Sequence, residues 1–309
     1  MNATNFLRAA KVICFLVFMC LPCALNAQSE MNDDWWSNNT IIAKGYGAPP
    51  KSDDQNISQG RSLARRAATL DAYRQLAEQV KGVHITAETT INDQILTGDI
   101  VETKVEALIR GSKILSEEFK EDGTCVIVMA LPVYGAVDSV ANVAFKPVDK
   151  EDFPTPSAPI KAQGNYTGLI IDCGDSDLKP VLAPVIRNAA NISIYSYSNL
   201  DYDKVISNGV VGYVKGDTGK QDNSTLLMTS YNRVGKNFIF LNASAPESNI
   251  SRAGSNPLII KASAMTDGDS CPVVSQEDAD RILAENAASH FLDEGAVVFT
   301  SYRVGGVRA

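Results

Sequence analysis

The 309-residue chain carries 36 Asp and Glu against 28 Lys and Arg, a net charge of −8. Its length suits two domains better than one. An acidic balance without any basic block disfavours sequence-independent nucleic-acid binding.

The first 27 residues place Arg8 and Lys11 before an apolar run from Val12 to Leu25 and end on Leu25-Asn26-Ala27, an acceptable small-residue cleavage site. This is the pattern of a secretory signal peptide. The run is shorter than the roughly 20 apolar residues of a membrane span and is broken by Pro22. Cys20 and Cys23 raise lipidation as an alternative, but bulky residues or proline stand where a lipidated cysteine wants small ones. Cleavage removes Arg8 and Lys11, leaving 26 basic against 36 acidic residues, so the charge moves from −8 to −10. It also leaves Cys125, Cys173 and Cys271, too few for a disulfide framework. Cys125 reads as a buried thiol, whereas Cys173 and Cys271 could pair.

Residues 28–39 are polar except for Trp35 and Trp36. They read as a loose arm whose tryptophans cover an edge of the first domain, or alternatively dock a partner or a membrane interface.

The first domain spans 40–145. A weak strand at 41–46 precedes a long amphipathic helix at 61–81, in which Thr69, Tyr73, Leu76 and Val80 form the apolar stripe with Leu70, Ala72 and Ala77 beside it. Gly82 suits the helix end. Residues 83–89 alternate like a strand. Asp99 with Glu102 three residues later resembles a capping box for a helix that buries Val101, Val105, Leu108 and Ile109 and stops at Gly111. Strands at 114–120 and 124–131 are joined through Asp122-Gly123, a hairpin signal. Arg65 and Arg66 flank the apolar stripe instead of opposing it. They are either snorkelling side chains or interface residues.

Residues 146–161 hold Pro147, Pro154, Pro156 and Pro159 among charges and read as a semi-rigid linker crossed by few contacts. The second domain, 162–303, is β-rich with one helix. It has strands at 167–172, 209–214 and 258–262, a helix opened by Ser275 and Asp278 that turns Ala279, Ile282, Leu283, Asn286 and Ala287 to one side, and a last strand at 296–300. The fold class is α+β: a small domain of two helices on an antiparallel sheet, followed by a β-rich α+β domain.

The motifs that invite chemistry fail on their residues. Asp172-Cys173-Gly174 and Asp217-Thr218-Gly219 suggest paired aspartates, but the first has Cys where Thr or Ser belongs and the second sits in a polar loop. Asp172, Asp175 and Asp177 lack the glycine and distal glutamate of a calcium loop. A phosphate loop ending at Gly219-Lys220 needs glycine at Val214 and Ser or Thr at Gln221. His84 and His290, the two histidines, make neither a zinc site nor a triad. His290 near a helix end suits the macrodipole. No catalytic residue, cofactor or metal ligand is assigned.

The stretch RRAATLDAYRQLAEQVKGVHI, with TKVEALIRGSKILSEEF and CVIVMALPV after it, resembles the domain of the Lpp-twenty lipoprotein family, related to flagellar envelope proteins such as FlgP and the amino-terminal domain of FlgT. The likeness covers about residues 40–135 and rests on Ala67, Ala68, Asp71, Ala72, Gly82-Val83 and Ile109-Arg110-Gly111. The remainder looks like the segment that follows this domain in longer exported bacterial proteins. The resemblance implies an exported, envelope-associated protein that is not an enzyme. The expectation is a periplasmic or outer-membrane-associated scaffold or assembly module that contacts itself or envelope proteins, with Trp35, Trp36, Arg65 and Arg66 as candidate interface residues. The alternative is a periplasmic ligand-binding or hydrolytic protein with a site between the domains, lined by Asp172, Asp175 or Asp217.

Overall fold

A computed structural model describes residues 35–50, 57–217, 227–230, 238–241 and 252–303. The signal sequence read in 1–27, most of the arm before Trp35, and the Thr218-Gly219-Lys220 stretch lie outside these residues. The fold is α+β. No helix of the described residues is long and apolar enough to cross a membrane.

The amino-terminal half begins with α1 (Trp35–Asn38), β1 (Thr40–Gly47) and the long α2 (Ile57–Gly82). Then come α3 (Ile91–Leu96), α4 (Asp99–Arg110), the hairpin β2 (Lys113–Phe119) and β3 (Cys125–Pro132), and α5 (Val140–Ala144). The three strands form one antiparallel sheet in the order β1-β3-β2. Gly123 at φ +82° supplies the left-handed residue that the hairpin turn requires. Ile41 and Ala43 on β1, with Cys125, Ile127, Met129 and Leu131 on β3, are all buried on the face that α2 covers.

Helix and sheet touch through backbone. The buried positions of α2 are Gly60, Ala64, Ala68, Ala72, Leu76 and Val80, one every fourth residue. A β-carbon built on Gly45 would lie 2.7 Å from the Ala72 Cβ and collide with the Ala68 carbonyl, and one on Gly47 would lie 2.9 Å from the Ala67 Cβ. Glycine on the strand and alanine on the helix therefore let the two main chains meet. This corrects the expected stripe. Leu76 and Val80 are core, but Thr69 and Tyr73 are half-buried and Leu70 faces solvent at 68% exposure, because the sheet selects the small residues rather than the large ones. Outside that contact, the helix is supported by its alanines and by Arg74, which bridges Asp71 at 2.8 Å and Glu78 at 3.0 Å.

Residues 83–89 are not a strand. Beyond an isolated bridge between His84 and Thr90, they form a bent loop that buries Val83 and Ile85. The capping box lies at Thr90 and Asp93 instead of Asp99 and Glu102. The Thr90 N–H donates to Asp93 Oδ2 at 2.7 Å and the Asp93 N–H to Thr90 Oγ1 at 3.2 Å. The Thr90 N–H and the Thr90 hydroxyl, which donates to Asp93 Oδ2 at 2.7 Å, hold the Asp93 carboxyl below the usual aspartate range. Gly98 caps α4 without a side-chain bond, and Asp99 and Glu102 fall in its first turn, where negative charge suits the dipole.

The second half contributes β4 (Gly168–Asp172), β5 (Ile186–Arg187), β6 (Ser193–Tyr195), α6 (Tyr202–Asn208), β7 (Gly212–Asp217), β8 (Leu227–Ser230), β9 (Phe238–Leu241), β10 (Pro257–Lys261), β11 (Ala264–Thr266), β12 (Cys271–Val273), α7 (Gln276–Ser289) and β13 (Val297–Arg303). Four strands make an all-parallel sheet in the order β10-β4-β13-β7. Its strands read as unbroken apolar runs, Leu169-Ile170-Ile171 and Val297-Val298-Phe299 among them, because both faces are buried. β11, β12, β5 and β6 form a second sheet, β8 pairs with β9, and α6 adds a helix to the single one expected.

The proline-rich stretch is clasped rather than loose. Asp280 and Glu285 on α7, 4% and 1% exposed, would be costly to bury without partners. Asp280 accepts the Ser157 N–H at 2.8 Å and the Ser157 hydroxyl at 2.6 Å, and Glu285 accepts the N–H groups of Gln163 at 2.9 Å and Gly164 at 3.2 Å. Phe153 stacks on Tyr195 at 6.4 Å. The halves also bond directly. Leu182 and Ala183 donate to the carbonyls of His84 and Ile85 at 3.0 and 2.8 Å, and Gly135 donates to Ile206 at 2.7 Å. One hydrophobic cluster runs from Trp35 to Phe299.

Candidate interaction surface

The two edges of the small sheet differ. Along β1, side chains of α2 occupy the outer backbone groups. The Tyr46 N–H donates to Asp71 Oδ2 at 3.0 Å, and Gln79 Nε2 donates to the Ile42 carbonyl at 3.2 Å. Along β2, no described residue bonds to the outer backbone. Every β2 residue except Phe119 is exposed, including Ile114 at 47% and Leu115 at 59%. An open edge is a template for a further strand. Lys113, Glu117, Glu118 and a register shift between Ile114 and Ser116 restrict what can pair there.

Arg65 stands beside this edge, its Nε 2.9 Å from Glu117 Oε2. One turn earlier, Arg61 lies over the Phe119 ring at 5.2 Å. Both arginines tie the helix to the edge strand. As an exposed ion pair, Arg65–Glu117 contributes about 0–1 kcal/mol, so its effect is chiefly to orient Glu117. Arg66 is exposed.

The tryptophans lie elsewhere. Trp35 is 6% exposed and belongs to the core, so it is a structural residue, not a free contact. Trp36 is half-buried, its ring 6.0 Å from Lys215 Nζ on β7. The arm residues thus cover part of the carboxyl half rather than only an edge of the first domain. The sheet-edge residues Lys113, Leu115 and Glu117 escape a sequence reading because KILSEEF lacks the alternation that marks one buried face.

Asp172 and Asp177, among the described side chains, have local partners of their own. Asp172 ends β4 and accepts the Gly174 N–H at 2.9 Å, while Asp177 approaches Lys215 Nζ at 3.9 Å. No group of three or more His, Cys, Asp or Glu suited to a metal occurs among the described residues. The Asp217 side chain lies outside them. Cys125, Cys173 and Cys271 are free and buried, so Cys173 and Cys271 are not bridged. Burial pushes the Cys173 thiol up to about 12 and Cys271 to about 11, which makes both poor nucleophiles. His290 is the left-handed cap of α7, with Nδ1 3.5 Å from Asp293 Oδ2.

The search of curated proteins found no match. Residues 34–131 match the LPP20 lipoprotein family, the likeness drawn from the helix and hairpin residues above. Residues 168–301 match the family described as the second domain of Treponema pallidum Tp0624. The first match begins at the buried tryptophan helix and ends at β3, while the second takes in α7 and the parallel sheet except the end of β13. The chain thus carries a region similar to the LPP20 lipoprotein family at 34–131, followed at 168–301 by one similar to the second domain of Tp0624.

Proposed function

We propose that this protein is a non-enzymatic envelope component that acts by assembly, contacting copies of itself or other envelope proteins through its amino-terminal domain, in the periplasm or at the outer membrane. The observation that carries this reading is an open strand edge on the domain that matches a lipoprotein family. Envelope association supplies the setting, and the outer backbone groups of β2, which no described residue bonds, supply a place to bind. The flagellar relatives of the resemblance offer one such setting. No nucleic acid or cofactor enters the proposal. Size-exclusion chromatography with light scattering, together with purification from a native envelope, tests it. Self-association or a stoichiometric envelope partner is expected, and a strict monomer that brings down no envelope component would overturn it.

A further inference from the structure

We infer that the β8–β9 hairpin is a membrane-surface contact: its register sets apolar residues on both faces of a sheet that joins no other described strand, and the cover it takes is the interface of an anionic lipid bilayer. This contact lies in the other half of the chain from the β2 edge and does not depend on assembly.

In sequence the hairpin lies between β7, an outer strand of the parallel sheet, and Arg252, whose Nε donates to the Gly295 carbonyl at 2.6 Å. Leu227 pairs with Leu241, Met228 with Phe240, Thr229 with Ile239 and Ser230 with Phe238, and among the described strands the two pair only with each other. Because successive positions alternate between the faces of a strand, Leu227, Ile239 and Leu241 share one face and Met228, Phe238 and Phe240 the other. A sheet with one face in water alternates apolar with polar residues, and a lone two-stranded hairpin is marginally stable in water. Both of these faces call for an apolar cover. Charge says which one. From Asn223 to Pro246 the sequence has Arg233 and Lys236 and no acid, in a chain whose net charge is −8. Two such hairpins repel each other, whereas anionic headgroups attract both cations, and apolar residues beside basic ones are what a segment lying on a membrane surface needs. Length sets the depth. Strands of four residues, at about 3.3 Å each, span about 13 Å, well short of the roughly 30 Å hydrocarbon core. Strand-edge backbone groups within that core would go unpaired, so the hairpin lies at the interface, where water and headgroups reach its edges.

The test uses the exported chain from Gln28 onward, which lacks Cys20 and Cys23 and so carries no lipid of its own. In flotation it should bind vesicles containing phosphatidylglycerol roughly tenfold or more tightly than vesicles of phosphatidylcholine alone, as two cations near a charged surface require. That preference should shrink as salt is raised. Phe240→Ser should weaken binding to the anionic vesicles roughly tenfold, the order set by burying a large apolar side chain. Leu96→Ser, at a residue 78% exposed in the amino-terminal half, is the control and should leave binding unchanged. The melting temperature of Phe240→Ser should match the parent's, and a large drop would place the hairpin in the core instead. A chain that floats with neither vesicle, or that binds regardless of Phe240→Ser, would overturn the membrane contact. So would an oligomer that Phe240→Ser disperses without lipid, which would make the hairpin a protein contact and leave assembly standing. A strict monomer with no envelope protein partner that still floats through Phe240 would keep the membrane contact and remove the assembly reading.

Discussion

Asp280 shows how one side chain can hold a segment that composition marks as a linker. It accepts from the Ser157 hydroxyl, the Ser157 N–H and Gln276, and these bonds, with the Ser157 hydroxyl foremost, hold its carboxyl below the usual aspartate range. A carboxylate with a depressed folded pKa adds stability that is fully present above its unfolded value of about 3.9 and is lost as pH falls through the folded value. Asp280→Ala should therefore cost about 1–3 kcal/mol near neutral pH, where hydrogen bonds to a charged group are lost. Urea titrations of parent and variant should converge once the pH is well below about 3.9. A difference that stays constant into acid would show that Asp280 acts through packing alone. The four prolines around Ser157 are legible in the sequence. The anchoring carboxylates are not, because they lie more than 120 residues away on a helix whose pattern gives no sign that acids are buried.

At the scale of elements, the face of α2 decides between two arrangements that share a helix but differ by a rotation. The large residues point to a stripe through Tyr73, while the fold buries the one through Ala64, Ala68 and Ala72. Leu76 belongs to both stripes, so Leu76→Asp should abolish folding of the amino-terminal half, since a lone charge there is neither paired nor solvated. Leu70→Asp should change stability by no more than about 0.5 kcal/mol, as surface substitutions do. Circular dichroism melts of the two variants separate the arrangements, and a large loss from Leu70→Asp would refute the observed one. Helix, hairpin and α7 were readable because their signals are local: Asp122-Gly123 at the turn, Gly111 at a helix end, Ser275 at a cap. Residues 83–89 mislead for the opposite reason. Their alternation is genuine, but the His84 and Ile85 carbonyls bond to Leu182 and Ala183, far along the chain, rather than to a neighbouring strand. The four-strand sheet was visible as apolar runs, but its parallel order depends on partners that no local pattern names.

Across the whole molecule, the continuity of the core revises how the halves behave apart. Four prolines suggest fragments that fold independently, yet Val83, Ile85 and Tyr134 pack in one cluster with the carboxyl half. Arg252 is a further tie within that half. Its Nε donates to the Gly295 carbonyl at 2.6 Å, Nη1 to Asn208 at 2.7 Å and Nη2 to Gly209 at 2.5 Å, placing a cation at the carboxyl end of α6 where the helix dipole favours it. A fragment ending near Pro156 should consequently melt at lower temperature than the same residues in the full chain and expose apolar surface to a hydrophobic dye. An unchanged melt would show that the amino-terminal half is self-sufficient.

The strand order carries a kinetic consequence. β13 lies between β4 and β7, so an inner position of the parallel sheet is supplied by the last strand of the described residues, and Leu169 meets Val297 only across more than 120 intervening residues. Contacts so distant in sequence close slowly. The amino-terminal sheet and helix, joined by neighbouring segments, can form early, whereas β4 and β7 wait with unfilled edges until β13 arrives. In a chain that crosses a membrane as a thread before folding, that interval falls outside the cytoplasm. It is the stage at which a holding chaperone there would matter most, and at which truncation near the carboxyl end would do the greatest damage.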